Sequence, residues 1–439
     1  MEYAKPSARN QVQNGAINGH LPELETRHFN GNLVAGNSLR ATRRNGHAHS
    51  ASAQAQILAE AYAVNRKWLG ERYDQDIFNA VHAAHASSQF DGDPVWLLVI
   101  GGSGLGKTET LIVLEGSGAH IISTVHSEGA LLSATTGEGK KQKTATGGIL
   151  RKIGKRGVLV LKDFTTILSM PDRTSKPMIL AAFREIYDGK WTRNVGVDGG
   201  QELEWVGHLT IIGGCTTAYD TNHSTIAAMG DRFILIRGDS SDINDRLSAG
   251  KQAMENSGEE ARMRAELKEA SRQVLKAAST ELVPIPPEDQ ERILAISNIV
   301  TMARSAVDFD YRGKVTYVHD PESPTRLTKE LIQLMRGAIA IGLDHEAALA
   351  LTLRVARDSM PPIRLACLLD LADHPESRVQ HVSQRIQKPW SAVDRALQAL
   401  HGLGLLLCAS LEETDSKGKT RISWYYTLRK NVDIDMLRS

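Results

Sequence analysis

The octapeptide Gly101-Gly102-Ser103-Gly104-Leu105-Gly106-Lys107-Thr108 constrains this chain more than any other stretch. It matches GxxxxGK[ST], in which glycines let backbone N–H groups wrap a phosphate, the lysine reaches the terminal phosphoryl oxygens and the hydroxyl meets Mg²⁺. So short a pattern also arises by accident, as a merely structural glycine loop, and context decides. The apolar run Pro94-Val95-Trp96-Leu97-Leu98-Val99-Ile100 precedes it, and Thr108–Glu115 reads as a helix. Buried strand, glycine loop, helix is the order that aims a helix N-terminus at a bound anion. Gly101 to Thr108 are therefore expected to bind ATP, with Lys107 catalytic and Thr108 on Mg²⁺.

Further apolar runs at Ile121–Val125, Gly157–Leu161, Leu209–Gly213 and Phe233–Ile236 read as buried strands, with a helix over Lys176–Asp188. Strands alternating with helices predict an α/β fold, a doubly wound and mostly parallel sheet over residues 91–240. The run Gly157-Val158-Leu159-Val160-Leu161-Lys162 ends in Asp163, which is placed to hold Mg²⁺, the Walker B arrangement; a helix N-cap is the competing role. Phe164 follows where a glutamate is usual. Another carboxylate must then orient an attacking water: Glu128 first, Glu185 second, although either is also explained as a surface acid. Thr210–Cys215 ends in Thr216, a polar group placed to sense the terminal phosphate. Met229-Gly230-Asp231-Arg232-Phe233 puts Arg232 just before the last strand.

Taken in that order, these features resemble the AAA+ branch of P-loop ATPases over roughly residues 70–360. The resemblance implies that Arg232 is an arginine finger reaching into the ATP of a neighbouring copy, within a ring or filament that is commonly a hexamer. It also implies a helical lid over residues 241–358. There Glu322-Ser323-Pro324-Thr325-Arg326-Leu327 is similar to the sensor-2 segment of the branch that includes magnesium chelatases and MCM helicases, and Arg326 would touch the γ-phosphate of its own subunit. The string Lys162–Met170 is similar to ATPases of phages and integrated mobile elements.

Two segments point to DNA. Between the second and third strands, Lys140, Lys141, Lys143, Arg151, Lys152, Lys155 and Arg156 face only Glu138, a local excess of +6 among abundant glycines. Dense cations on a pliable loop suit a phosphate backbone, and the resemblance puts this connection in a ring's central pore; a solvated surface loop is the alternative. After residue 358 the pattern gives helices at Ile363–Leu371, Arg378–Ile386 and Trp390–Leu400, a polar tip at Glu412–Thr420 and a strand at Ile422–Leu428. This module, residues 359–439, resembles a winged helix-turn-helix. That resemblance implies Ser391, Asp394, Arg395 and Gln398 in the major groove and Lys417, Lys419 and Arg421 on phosphate; a protein-docking module is the other option. Residues 1–50 read as a flexible tail and 51–90 as a helical linker.

Composition removes other classes. Fifty-two Lys and Arg against fifty-one Asp and Glu leave +1, so no polyanionic partner follows from charge alone. Cys215, Cys367 and Cys408 are far apart, which argues against disulfides or a zinc finger. No stretch approaches the ~20 apolar residues of a membrane helix, and no apolar leader opens the chain, so a cytoplasmic protein without a membrane partner is expected. The expected function is an oligomeric, ATP-hydrolysing motor on DNA (helicase, translocase or helicase loader) in phage or mobile-element replication or maintenance, with a replication protein as a further partner. The alternative is an ATP-gated DNA-binding initiator or regulator that does not translocate.

Overall fold

Apolar runs without polar alternation become strands covered on both faces. In the computed structural model, residues 40–104, 106–134, 147–171, 174–196, 201–223, 226, 230–239, 241–414 and 420–438 are described. The chain divides into two units, Met1–His47 and Ala48–Ser439. Of the first, only the start of the helix Arg40–Leu69 is described, and this helix begins inside the segment read as a tail. The rest concerns the second unit.

Five strands make its main sheet: β1 (Trp96–Ile100), β2 (His120–Ile122), β3 (Arg156–Leu161), β6 (His208–Cys215) and β7 (Ile234–Arg237). Their order is β2-β3-β6-β1-β7, and every neighbouring pair is parallel. Successive side chains point to opposite faces, so one run feeds two cores. Leu97 and Val99 of β1 join Val160, Ile212 and Ile236 beneath the helices Gln75–Ser87 and Thr325–Ala340. Trp96, Leu98 and Ile100 join Leu161, Ile211 and Leu235 beneath the helix Ser175–Tyr187. The outer edge of β7 is closed by side chains: Leu235 N–H donates to Ser359 Oγ at 2.9 Å and Arg237 N–H to Asp358 Oδ2 at 2.8 Å.

The helices Gln75–Ser87 and Thr325–Ala340 meet at backbone distance. A Cβ on Gly337 would stand 2.0 Å from the carbonyl oxygen of Ala83. Gly337→Ala should therefore push the helices apart and cost about 2–3 kcal/mol. A urea midpoint equal to wild type would contradict that close approach.

Two hairpins escape the sequence reading. The strands β4 (Lys190–Val195) and β5 (Gln201–Val206) pair antiparallel, with Trp191 opposite Trp205 and both buried. Inside the region read as all helical, β8 (Val307–Phe309) and β9 (Val315–Val318) flank a turn whose Asp310 Oδ1 accepts N–H groups of Arg312 and Lys314, each at 2.8 Å. The final segment is formed by the helices Pro362–Asp373, Val379–Arg385 and Trp390–Gly402, followed by β10 (Leu406–Thr414) and β11 (Thr420–Leu428), an antiparallel pair. Among the described residues no helix is long and apolar enough to cross a membrane.

Candidate functional site

β1 runs directly into the glycine loop. Gly104 (φ 88°) and Gly106 (φ 70°) are left-handed, and a Cβ at either would meet nothing within 4 Å. The backbone conformation, not crowding, calls for glycine there. Lys107 opens the helix Lys107–Ile112, which is shorter than expected because the chain turns through Gly116 and Gly118. Its Nζ donates to the carbonyl oxygens of Gly101 at 2.8 Å and Gly102 at 2.5 Å. Burial lowers the Lys107 pKa, while Asp163 pulls the other way. Thr108 is exposed at the helix start.

The neighbouring strand ends bring the second half of the site. Gly101 N–H donates to Cys215 O (3.2 Å), Asp163 N–H to Ser123 O (2.9 Å) and Phe164 N–H to Gly214 O (2.8 Å). These bonds hold the C-terminal ends of β1, β3 and β6 together. The Asp163 carboxylate is exposed and accepts Thr166 Oγ1 at 2.6 Å. Thr216 N–H donates to Thr165 Oγ1 at 2.9 Å, whereas among the described residues the Thr165 hydroxyl finds only Thr216 Oγ1 at 3.4 Å and Cys215 Sγ at 3.6 Å. Thr165 was missed by the sequence reading; its signal is a hydroxyl two residues beyond the strand-end aspartate. Exposed amides, an ammonium, a carboxylate and hydroxyls on one edge can hold a polyphosphate with a hard divalent cation.

Among the described residues, neither candidate carboxylate bonds or pairs with this set. Glu128 opens the short helix Glu128–Leu131 and pairs with Arg193 of β4 at 3.7 Å, and Glu185 is exposed on the helix Ser175–Tyr187. A charged brace, also missed, fixes the end of β7 beside Ile100. Arg237 forks onto Asp220 at 2.8 and 3.0 Å, and Arg354 bonds Asp74, Asp76 and the Arg237 carbonyl. Arg264, on the helix Glu260–Ala277, forks onto Glu109 at 2.7 and 3.0 Å and so ties that helix to the one behind the loop.

Arg232 and Arg326 lie at the other end of the sheet. Leu97 pairs with Ile234 and Ile100 with Arg237, so Arg232 precedes β7 at the N-terminal edge, away from the glycine loop. Its Nη1 donates to Gly230 O at 2.7 Å, Asp188 is 3.7 Å away, and the side chain is 11% exposed. Arg326 Nη1 donates to Asp231 O at 3.1 Å and Glu322 Oε1 at 2.9 Å. The expected contact of Arg326 with its own subunit's phosphate is corrected by this placement. The helix Thr325–Ala340 is anchored just ahead of β1, through Lys329 to Asp93 (3.3 Å) and Gln333 to the Asp91 carbonyl (2.7 Å), and that sets its first turn at the far edge.

Of the residues expected on DNA, Lys140, Lys141, Lys143, Lys417 and Lys419 lie outside the described residues, as does Leu105 of the loop. Arg151 and Lys152 are exposed on the helix Ile149–Ile153, and Lys155 is exposed beside them. Arg156 is instead spent on structure, donating to Ser88 O, Phe90 O and Asp91. Ser391 and Arg395 share the exposed face of the helix Trp390–Gly402, with Arg395 alongside Gly313 of the β8–β9 turn; Asp394 and Gln398 bond each other at 2.8 Å.

No family model matches the chain, and no curated protein matches it. Among solved structures it is similar to the C-terminal region of NrS-1 in its apo A form, at 8% identity and a TM-score of 0.25, covering 85% of this chain and 76% of that one. So low a score says nothing about fold or function here.

Proposed function

We propose that the chain is an AAA+ ATPase that hydrolyses ATP as an oligomer and works on DNA. The observation that carries this is the strand order β2-β3-β6-β1-β7, which gathers the glycine loop, Asp163 and the Thr165–Thr216 pair on one edge and leaves Arg232 and Arg326 on the opposite one. In this reading the loop amides and Lys107 bind the phosphates, Lys107 exchanging two carbonyl oxygens for phosphoryl oxygens. Asp163 and Thr108 would hold Mg²⁺, whose chemistry is to neutralise charge on the bridging oxygens; an exposed carboxylate and hydroxyl suit such a cation. Arg232 and Arg326, out of reach of their own loop, serve the triphosphate of the next copy.

For DNA, the three C-terminal helices and the β10–β11 hairpin support a winged helix-turn-helix, with Ser391 and Arg395 on the exposed face of its third helix. Arg151 and Lys152 begin a second contact, extended by Lys140, Lys141 and Lys143. Replacing those three lysines with alanine should flatten the log–log salt dependence of DNA binding by about three units; an unchanged slope would return them to the solvent. The reading as a non-translocating initiator keeps one observation in its favour, that neither Glu128 nor Glu185 joins Asp163 and Lys107. ATPase rate with and without single- and double-stranded DNA, beside mass measurement with and without ATP, tests the whole. DNA-stimulated turnover by an ATP-dependent oligomer is expected. A monomer at high concentration with saturating ATP that still cleaves it briskly would overturn the reading.

A further inference from the structure

Two guanidinium groups share one aromatic ring at the N-terminal edge of the sheet. Arg232 lies 5.8 Å and Arg326 5.9 Å from the centroid of Tyr187. Both Nη1 atoms also lie within 4 Å of the point where Gly230 would carry a Cβ, at 3.0 and 3.9 Å. Like charges so close repel, and their counter-ions are thin. Asp188 is 3.7 Å from Arg232 and 63% exposed, while Glu322 is divided between Arg326 and Arg304, each at 2.9 Å. Burial pushes the Glu330 carboxyl well above the usual carboxylate range, while Arg304 and Arg326 pull the other way.

The ring itself is firmly seated. Tyr187 ends the helix Ser175–Tyr187, is buried, and stands edge-on to Trp96 at 5.3 Å; Trp96 in turn donates Nε1–H to Leu209 O at 2.7 Å. A π face attracts a cation without occupying its N–H donors. A carboxylate in the same place would consume them. Arg232 Nε is buried and has no hydrogen-bond partner among the described residues.

We propose that Tyr187 is a positioning residue: its ring holds Arg232 and Arg326 at one spacing with donors to spare, so that both meet a single anionic group, the triphosphate bound by a second copy of the chain. The inference rests on the reading that the two arginines act between copies.

The test uses the full chain with Tyr187→Phe as the reference and one, two and three fluorines added to that ring. Shape is kept while the negative face fades. The expected result is a stepwise fall in kcat, about two- to tenfold by the third fluorine, with KM for ATP and ATP-dependent mass constant. A kcat flat across the series, in protein that still assembles, overturns the role of Tyr187. Arg232→Ala tells the two failures apart. If it leaves kcat intact, the reading between copies fails and Tyr187 falls with it. If it lowers kcat while the fluorinated series is flat, Tyr187 alone is overturned.

Discussion

Lys107→Ala is expected to lower ATP turnover by at least about a hundred- to a thousandfold with the fold preserved. The asymmetry comes from what the ammonium touches. Its protein partners are the carbonyl oxygens of Gly101 and Gly102 on a partly exposed loop, and water can replace it there at little cost. Charge developing on a transferring phosphoryl group has no such substitute. Turnover and thermal unfolding measured on the same sample check both halves. Wild-type turnover would remove the phosphate-binding reading of the loop altogether.

The second large effect concerns Arg232. Comparable fingers are worth about 10³–10⁵ in rate, so Arg232→Ala alone should be nearly inactive. Mixed with Lys107→Ala subunits, activity should return. In a mixed assembly, an Arg232→Ala copy keeps its own glycine loop and receives an intact arginine from a Lys107→Ala neighbour. To serve there, Arg232 must exchange Gly230 O for a phosphoryl oxygen at a position that is only 11% exposed in the single copy. Absence of recovery in a mixture proven to co-assemble would place the arginine's role inside its own subunit.

The sheet was legible because its strands are covered on both faces and therefore read as unbroken apolar runs; Trp96–Ile100 and Arg156–Leu161 come within a residue or two of the expected spans. The glycine loop and Asp163 follow from that frame. The β4–β5 hairpin was not legible, since Lys190, Thr192, Arg193 and Asn194 dilute the apolar content of its first strand, and among its described residues the buried ones are Leu203 and the facing tryptophans. The turn Asp310–Gly313 likewise interrupts a stretch whose surroundings are helical. The Arg237–Asp220 and Arg354–Asp74 pairs join residues far apart in the chain, and no local spacing announces them. Arg326 was misplaced for a related reason: a first-turn arginine can be read from sequence, but the direction in which its helix lies depends on Gly337 meeting Ala83.

The closure of β7 by Asp358 and Ser359 also limits how copies can join. An open strand edge invites another chain to continue the ladder. Here the outward N–H groups of Leu235 and Arg237 are already spoken for by the end of the helix His345–Asp358 and the serine after it. Polymers of this protein cannot grow by strand addition along that margin, and shortening the polypeptide before residue 358 would uncover it as a sticky seam.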